Sequence, residues 1–549
     1  MEEQSKVKTM KSVLALILVA VLCLALFAAC AKSETEAPKN DTTPSSTDTA
    51  PAKDDEPADT DEPAPADEPV DEPETYDPED YTDIVMYYFD LRMCAADNGQ
   101  HIEDAINEYI GPKYGLQVDL TWMVIGDWLT KVQLNIGSGE RVDVLPLEVG
   151  CGVGTMYTNT MIMDITDYMA EYAPETMELM ANFLPAYMYN GRLYGVPTLR
   201  GYVTNQYITM RKDILEELNL MDKAENMSSW TDFEEIMAAV SEAYKGTGLW
   251  AVGNGVNKGY GFPAGGGFIG YDKFEDTDRY DGIGDSVGMA KTDKEGHVTW
   301  VHDDPQIEKD YARVRAWREN GWAYPDSALD ETHGDELMKQ NVQFATIQAS
   351  EYGIDAVKSA NCGHPTFSVM HAPGMIMTST LTSWGIGVPV TADEPEGACK
   401  MINILYTDEY VMNLITRGQE GVDYRLVDGE CVYDLAETGH YYYEADFLIG
   451  NNLLTHPVEG QGADYFKEIK AINDAADISP YLGFVFDNGE LSQYIANITA
   501  VGDQYSADMG GGNYTPEMYA EEKAKYESAG VHEYLDELQK QLDAWMAAN

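Results

Sequence analysis

Three sequence patterns have the residue types of a catalytic or metal site, and each lacks part of what its chemistry needs. Residues 284–288 (GDSVG) match the G-x-S-x-G motif of serine hydrolases, which needs an apolar strand before the serine and a helix after it. The acidic residues 276–281 precede Ser286 instead, so we interpret it as part of a surface loop. A calcium loop beginning at residue 276 is incomplete, because Tyr280 and Val287 occupy two of its ligand positions. The nine histidines show no zinc-binding spacing, and the sequence predicts no metal, cofactor or catalytic residue.

Aromatic residues are the stronger signal. The chain has 36 tyrosines, 9 tryptophans and 13 phenylalanines; flat rings stack against sugar faces, and charged or amide groups hydrogen-bond to hydroxyls. Its 95 acidic and 35 basic residues give a formal net charge of −60. Nucleic acids and anionic membrane surfaces are therefore excluded as partners, and anionic ligands are disfavoured. The composition favours a small neutral polar ligand, a sugar before a peptide.

The elements that must position such a site begin at residue 81. Strands are predicted at residues 81–89, 116–124 and 142–145, with helices beginning near Gln100 and Gly126. Alternating strands and helices imply a parallel sheet with helices on its faces. Ligands of such sheets bind at the carboxyl ends of the strands. The candidate segments are therefore residues 87–92 and the glycine-rich loop at residues 148–157; helices are then expected at residues 164–172 and 175–189.

Residues 190–213 form the next distinctive stretch. Pro197 forbids a central position in a sheet, so the chain is expected to lie on an edge or to cross between sheets there. A second strand follows, and Asp213 is expected to cap the short helix after it. Residues 231–234 read as a capping box, and residues 249–304 as an irregular insertion that overhangs a cleft.

The order strand, Pro197 crossing, strand, Arg211-Lys212-Asp213 and helix resembles the hinge between the lobes of extracellular solute-binding proteins of ATP-driven sugar importers. Residues 342–353 and 379–388 resemble the second and third crossings between the lobes of that family. The segments that resemble a C-terminal module of unassigned function, carried by a lipoprotein subset of that family, are residues 415–427, 451–457, 479–488 and the final helix 534–546. This resemblance implies an α/β, two-lobe periplasmic-binding-protein-like (type II) fold with hinge crossings and a C-terminal extension.

The candidate ligand-binding residues lie at predicted strand ends and crossings. Rings are expected to stack on the ligand and charged groups to hydrogen-bond to it. Trp384 is the strongest candidate, because Gly385 beside it lets ring and backbone approach a cleft closely. The alternative for Trp122 is a buried strand residue, and for Glu351 a solvated turn. The full set is Tyr88, Asp90, Trp122, Glu148, Arg200, Tyr202, Glu351 and Trp384.

The N-terminus is typical of a bacterial lipoprotein. A basic start and an apolar run end in small residues before Cys30, which predicts a cleaved signal with Cys30 as the lipidated residue; an uncleaved transmembrane helix is the alternative. An acidic, proline-rich tether follows that cannot bury enough surface to fold. Free or buried thiols are expected for the remaining cysteines, Cys94, Cys151, Cys362, Cys399 and Cys431. The implied organisation is a signal at 1–29, the lipidated cysteine and tether at 30–80, lobe 1 at 81–197 plus 346–383, and lobe 2 at 198–345 plus 384–549 with the C-terminal module from about residue 410.

The resemblance implies a monomeric, lipid-anchored protein on the extracellular face of the cell membrane. It would capture an oligosaccharide by hinge closure and deliver it to the transmembrane subunits of an ABC permease, without catalysis. A secreted hydrolase of glycans or esters is one alternative. A surface sensor or a peptide-binding protein on the same fold is another.

Overall fold

The computed structural model describes residues 76–90, 99–148, 150–253, 273–274, 281–330, 332–350, 353–435 and 446–548. The predicted signal and the tether up to residue 75, Cys94, most of the acidic residues 276–281 and the candidate Glu351 lie outside the described residues. In the described part of the chain, no helix is both long enough and apolar enough to span a bilayer.

The strands of the described residues are β1 Thr82–Asp90, β2 Leu116–Val124, β3 Leu145–Pro146, β4 Met188–Tyr189, β5 Arg192–Leu193, β6 Val196–Pro197, β7 Asn205–Arg211, β8 Trp250–Val252, β9 Ala290–Thr292, β10 Val298–Trp300, β11 Gln343–Ser350, β12 Thr366–Ala372, β13 Gly385–Gly387, β14 Arg425–Val427 and β15 Glu430–Val432. The helices are α1 Gln100–Tyr114, α2 Ile125–Gly137, α3 Val153–Thr158, α4 Thr166–Tyr172, α5 Pro174–Leu179, α6 Lys212–Glu217, α7 Met221–Glu225, α8 Trp230–Ala243, α9 Pro305–Glu319, α10 Gly334–Lys339, α11 Ile354–Cys362, α12 Thr378–Leu381, α13 Pro395–Thr407, α14 Glu409–Arg417, α15 Tyr465–Ala475, α16 Ser492–Gly510, α17 Pro516–Ala529 and α18 Val531–Ala548.

The first sheet is parallel, as the alternation of strands and helices predicts. β1 pairs with β2 along its whole length, and on its other side Met86 bridges in parallel to Val144. Because β1 has neighbours on both sides and helices on its faces, Met86 to Asp90 are all buried. Strands β1 and β2 match the predicted bounds to within a residue.

A first hydrophobic core surrounds this sheet. It contains Ile84, Ile102 and Val118 from the first elements, but also Ile386 and Ile402 from much later in the chain. A small sheet in the order β3-β13-β6 connects the two parts. β6 is an edge strand there, so the prediction that Pro197 lies on an edge is confirmed.

A second core lies around a sheet in the order β12-β7-β11-β8. β11 pairs with β7 and β8, and β12 pairs with β7. The predicted crossing at residues 342–353 is therefore wrong: its described part stays in this sheet. The predicted lobe boundaries are also wrong here, because β11 and β12 belong with β7, whereas residues 385–415 pack in the first core. Local alternation of apolar residues looks the same for a strand that crosses and for one that stays.

A third, C-terminal core contains residues from two distant parts of the sequence. Trp300 and Tyr311 pack with Ile498, Tyr526 and Leu538. Of the predicted insertion at residues 249–304, residues 250–252 form β8 of the second sheet. Residues 281–304 pack against the C-terminal helices rather than overhanging a cleft. This core takes in the chain from Tyr481 onward, not from about residue 410 as predicted.

Local predictions had mixed outcomes. Asp213 does not cap α6; it pairs with the Arg211 guanidinium, Nε to Oδ1 at 2.7 Å. The capping box lies two residues earlier than predicted, with Ser229 as the N-cap of α8. The helix expected at 175–189 stops at Leu179 and gives way to a 3-10 turn. The four described cysteines are free and buried, as expected: Cys151, Cys362, Cys399 and Cys431.

Candidate functional site

Several strand ends meet at one edge of the first sheet. In the parallel pair β1–β2, Asp90 lies opposite Val124, and Met86 of β1 bridges to Val144. Asp90 is four residues after Met86, and Glu148 is four residues after Val144. Because the two segments run parallel, Asp90 and Glu148 lie at the same edge of the sheet. This is the carboxyl edge of the sheet, where ligands of such folds bind.

The antiparallel strand β13 continues this edge beyond β3. Ile386 pairs with Pro146, and the same register places Trp384 opposite Glu148. On the other side of β13, the Thr198 amide donates to the Trp384 carbonyl at 3.0 Å. Neighbouring strands lie about 4.8 Å apart, so these residues form a continuous line. We call it the edge row; in spatial order it consists of Val124, Asp90, Glu148, Trp384 and Thr198.

Glu148 is the most unusual residue of the edge row. Its side chain is 1% exposed, and neither carboxyl oxygen has a hydrogen-bond partner among the described residues. Burial raises the pKa of Glu148 well above its usual range. A buried polar group without a partner costs free energy unless something supplies one. The carboxyl group is therefore suited to accept hydrogen bonds from a bound hydroxyl.

Thr198, at the far end of the edge row, also has a buried polar group without a hydrogen-bond partner among the described residues. It is also 1% exposed, and its hydroxyl has no hydrogen-bond partner among the described residues. Its carbonyl is occupied, because the Tyr202 hydroxyl donates to it at 2.8 Å. Sequence reasoning missed Thr198; the only available signal was its position after Pro197 at the crossing.

Trp384 lies between these two groups. Its ring is half-buried against the first core and contacts Phe447 edge-on, with ring centroids 5.6 Å apart. Gly385 is required for a reason that differs from the prediction: a Cβ there would lie 2.1 Å from the Tyr187 hydroxyl. Gly385 thus leaves room for the side chain of Tyr187, and this packing positions β13, which Trp384 directly precedes.

Tyr88 and Trp122 form a pair behind the acidic end of the row. The half-buried Trp122 ring meets Tyr88 edge-on, with centroids 4.7 Å apart. Tyr88 is 1% exposed, and its hydroxyl donates to the Ile415 carbonyl at 3.3 Å. Tyr88 therefore packs behind Trp122 and supports it, and contact of Tyr88 with a ligand stays a prediction.

Arg200 and Tyr202 follow Thr198 on the crossing between β6 and β7. The Arg200 guanidinium donates to the Gly201 carbonyl at 3.0 Å, and the group is half-buried. Tyr202 is buried, and burial raises the pKa of its hydroxyl. The Asn473 side chain contacts the backbone of both residues; nothing in its local sequence signals that contact.

The loop after Glu148 is held by α2. Gln133 donates to the Gly150 carbonyl at 2.5 Å, and the Cys151 amide donates to the Glu148 carbonyl at 2.6 Å. Burial raises the pKa of the Cys151 thiol to about 11, so this cysteine is a packing group, not a nucleophile. The glycine-rich segment predicted as a loop closes into the short helix α3.

The other sequence patterns lie elsewhere. Ser286 is in an exposed turn, without the strand and helix of a nucleophile elbow. Asp281 is buried, accepts the Ile283 amide at 2.7 Å and pairs with the Ser479 hydroxyl. Within the described ranges, no cluster of three or more His, Cys, Asp or Glu side chains is arranged to hold a metal ion.

Comparison with known families gives two matches. Residues 111–420 match the model of the bacterial extracellular solute-binding proteins. Residues 480–547 match a domain of unknown function, DUF3502, which coincides with the C-terminal helices of the third core. The first match covers more than half of the chain.

Individual relatives are distant in sequence and similar in fold. A carbohydrate ABC transporter substrate-binding protein of Streptococcus pneumoniae is 21% identical over 465 residues, covering 82% of this chain and 89% of that protein. The crystal structure of an N-glycan transport solute-binding protein from S. pneumoniae is similar with a TM-score of 0.68 at 19% identity, covering 85% and 99% of the two chains. An HMO-binding, ABC-transporter-associated solute-binding protein from Bifidobacterium longum infantis is similar with a TM-score of 0.56 at 13% identity, over 84% and 99%. These likenesses show the two-lobe α/β fold.

Proposed function

We propose a ligand and a binding site for this chain, which belongs to the family of bacterial extracellular solute-binding proteins. It is a binding protein, not an enzyme, and captures a solute for delivery to an ABC transporter. The proposed ligand is a neutral oligosaccharide. The proposed site is the edge row, and Glu148 is the observation that carries this assignment.

Glu148 favours a ligand rich in hydroxyl groups. Its two oxygens are buried without a partner, and each can accept hydrogen bonds from a sugar hydroxyl. The Thr198 hydroxyl, in the same state, can both donate and accept. Trp384 between them offers a ring for stacking. Buried polar groups beside an aromatic ring are what a sugar needs from its site.

Charge favours a neutral ligand over an acidic one. Asp90 and Glu148 are both buried at the same edge, and the whole chain carries a formal charge of −60. This edge already disfavours negative charge, since burial raises the pKa of Glu148, so an anionic glycan would bind there at a further cost in free energy. Arg200 on the nearby crossing is oriented toward backbone carbonyls.

Access to the edge row requires opening. Glu148 is 1% exposed, so the two lobes must separate for a ligand to enter and close around it afterwards. Segments that cross between the first and second cores are suited to such hinge bending. In this proposal the protein is a monomer, and closure creates the form that the permease recognises.

The proposed location is the outer face of the cell membrane, with Cys30 as the lipid anchor. Replacing the lipidated residue, Cys30→Ser, is expected to release the protein into the medium. Fractionation of cells that express either form, with immunoblotting, measures this. Equal retention of both forms would contradict the anchor and leave the ligand proposal intact.

Isothermal titration calorimetry against a panel of glycans tests the ligand. Suitable probes are Man1GlcNAc and Man5GlcNAc, each of which is bound in a crystal structure of the pneumococcal N-glycan protein, with sialylated and uronate-containing glycans and short peptides as comparison arms. Saturable binding of a neutral glycan, recovered unchanged by mass spectrometry, is the expected result. Binding only to peptides, preference for acidic glycans, or release of cleaved sugar would overturn the proposal.

A further inference from the structure

The hinge contains two crossings that touch each other. Residues 198–204 connect β6 to β7, and residues 373–384 connect β12 to β13. The Gly374 amide donates to the Asn205 side-chain oxygen at 2.9 Å. A Cβ on Gly374 would lie 2.3 Å from the Thr204 carbonyl oxygen, so the two backbones meet where only glycine fits.

Asn473 binds the first crossing through both ends of its side-chain amide. Its oxygen accepts the Tyr202 amide N–H at 2.9 Å, and its NH2 donates to the Arg200 carbonyl at 2.6 Å. The side chain is only 7% exposed. This amide satisfies the backbone of the crossing as a neighbouring strand would.

The residues after Asn473 bind the second crossing. The Ile376 amide donates to the Asp477 carbonyl at 2.9 Å, and the Ser479 amide donates back to the Ile376 carbonyl at 2.8 Å. The Gly483 amide donates to the Thr378 hydroxyl oxygen at 2.9 Å. Residues 473–483 therefore run beside both crossings; we call them the strap.

The strap connects different parts of the molecule. Its beginning lies on α15, where Ile472 and Ala476 pack against the first core. Its end, from Tyr481, enters the C-terminal core. That core is in turn fixed to the second core through α9, which places Tyr311 in one and Trp317 in the other.

We propose that Asn473 is a positioning residue for ligand capture, and that through the strap the C-terminal core restricts how far the hinge opens. This gives the domain of unknown function a mechanical part in binding. The inference rests on the hinge closure described under the proposed function. It predicts that loosening the strap widens the range of lobe separations even without ligand.

Pulsed electron spin resonance on the unliganded protein tests this directly. Spin labels are placed at Leu134→Cys on α2 and Val357→Cys on α11, which are 67% and 56% exposed, in a chain that also carries Cys94→Ser. Asn473→Ala is expected to broaden the distance distribution between the labels roughly twofold, because two hydrogen bonds to the crossing are lost. Thr378→Val, which removes one bond of the strap, is expected to broaden it less.

Asn107→Ala is a matched control. Asn107 likewise binds backbone through both ends of its side-chain amide, but within the first core. Its oxygen accepts the Val118 amide N–H at 2.7 Å, and its NH2 donates to the Val118 carbonyl at 2.8 Å. It is expected to lower the melting temperature and leave the distance distribution as in the wild type. An unchanged distribution in both strap variants, or equal broadening by Asn107→Ala, would overturn the inference. Because no glycan is used, failure here is distinct from failure of the ligand proposal.

Discussion

The edge row and the C-terminal core each bury a glutamate, and the two residues differ in their surroundings. Glu522, fully buried on α17, accepts a hydrogen bond from the Tyr514 hydroxyl, and burial raises the pKa of its carboxyl to about 7. Glu148 has no partner for either oxygen among the described residues. Glu522 lies among packed tyrosines, whereas Glu148 lies where strands end beside a hinge.

This difference shows that burial of a polar group does not identify a binding site by itself. Both regions offer a buried glutamate, a tryptophan that meets a phenylalanine edge-on and a threonine whose hydroxyl lacks a partner in the described structure. Only in the first region do the three lie in one row along the carboxyl ends of strands. The C-terminal residues are therefore matched controls: Glu522 for Glu148, Trp545 for Trp384 and Thr292 for Thr198.

The largest expected effect comes from the glutamates. Glu148→Gln is expected to weaken glycan binding about 10- to 150-fold, because hydrogen bonds donated by glycan hydroxyls favour the charged carboxylate in the complex and hydrogen bonds to charged groups contribute about 1.5–3 kcal/mol. The unliganded variant is expected to melt at a higher temperature than the wild type at neutral pH, since glutamine does not ionise and burial of the ionisable Glu148 lowers stability above its unfolded pKa. Calorimetry and differential scanning fluorimetry measure the two effects. Glu522→Gln should change affinity less than about twofold; equal losses in both variants would remove the distinction between the regions.

The tryptophans provide the next test. Trp384→Ala is expected to weaken glycan binding about tenfold, because the ring contributes stacking and apolar contact. Trp545→Ala, which removes a ring whose centroid lies 6.0 Å from that of Phe484, is expected to lower stability and to change affinity much less than Trp384→Ala does. Titration of both variants with the same glycan distinguishes them. A loss of affinity confined to Trp545→Ala would place the ligand in the C-terminal region.

The threonines test the same comparison by the removal of a single hydroxyl group. Thr198→Val keeps the shape of the side chain and removes the hydroxyl, so affinity is expected to fall about 2- to 10-fold. Thr292→Val removes an equally buried hydroxyl from β9 and should leave affinity as it is. Both constants come from the same calorimetric assay. If Thr198→Val binds as tightly as the wild type, the binding site does not extend along the edge row to Thr198.

A variant with one of the smallest expected effects on affinity, Glu522→Gln, is expected to change how stability depends on pH. The pKa of Glu522 is about 7 in the folded protein against an ordinary value of 4.5, so between these values the folded state binds more protons than the unfolded state. The contribution of Glu522 to the free energy of unfolding therefore falls as pH rises through this window, by roughly 3 kcal/mol at most. Glu522→Gln is expected to flatten this slope in melting temperatures measured from pH 5 to 8. A parallel slope in the variant would show that other groups produce it.

Local sequence was sufficient for the first two strands, whereas the strand predicted at residues 142–145 is reduced to a bridge at Val144 and the short β3, Leu145–Pro146. The alternation of apolar residues placed β1 and β2 to within a residue, and the rule that ligands bind at strand ends selected Asp90 and Glu148. Trp384 was selected at a crossing, although Gly385 beside it serves a core tyrosine instead. Tyr88 and Tyr202 were also selected as ligand contacts, yet both are buried and their hydroxyls donate to carbonyls of the chain.

The rest depends on contacts between distant residues, which a local pattern does not contain. β11 has the composition of a crossing strand, and only its pairing with β7 and β8 shows that it stays in the second sheet. The proposed role of Thr198 depends on the three strands that bring it beside Trp384. Asn473 lies more than 270 positions from the crossing that it binds, and the C-terminal core joins residues 283–311 to residues after 480.

A crystal structure with the neutral glycan that binds most tightly is the most direct test of the central claim. Glycan hydroxyls are expected within hydrogen-bond distance of the Glu148 carboxyl and the Thr198 hydroxyl, with a sugar ring against Trp384. A glycan bound elsewhere, with Glu148 and Thr198 still unpartnered, would contradict the account.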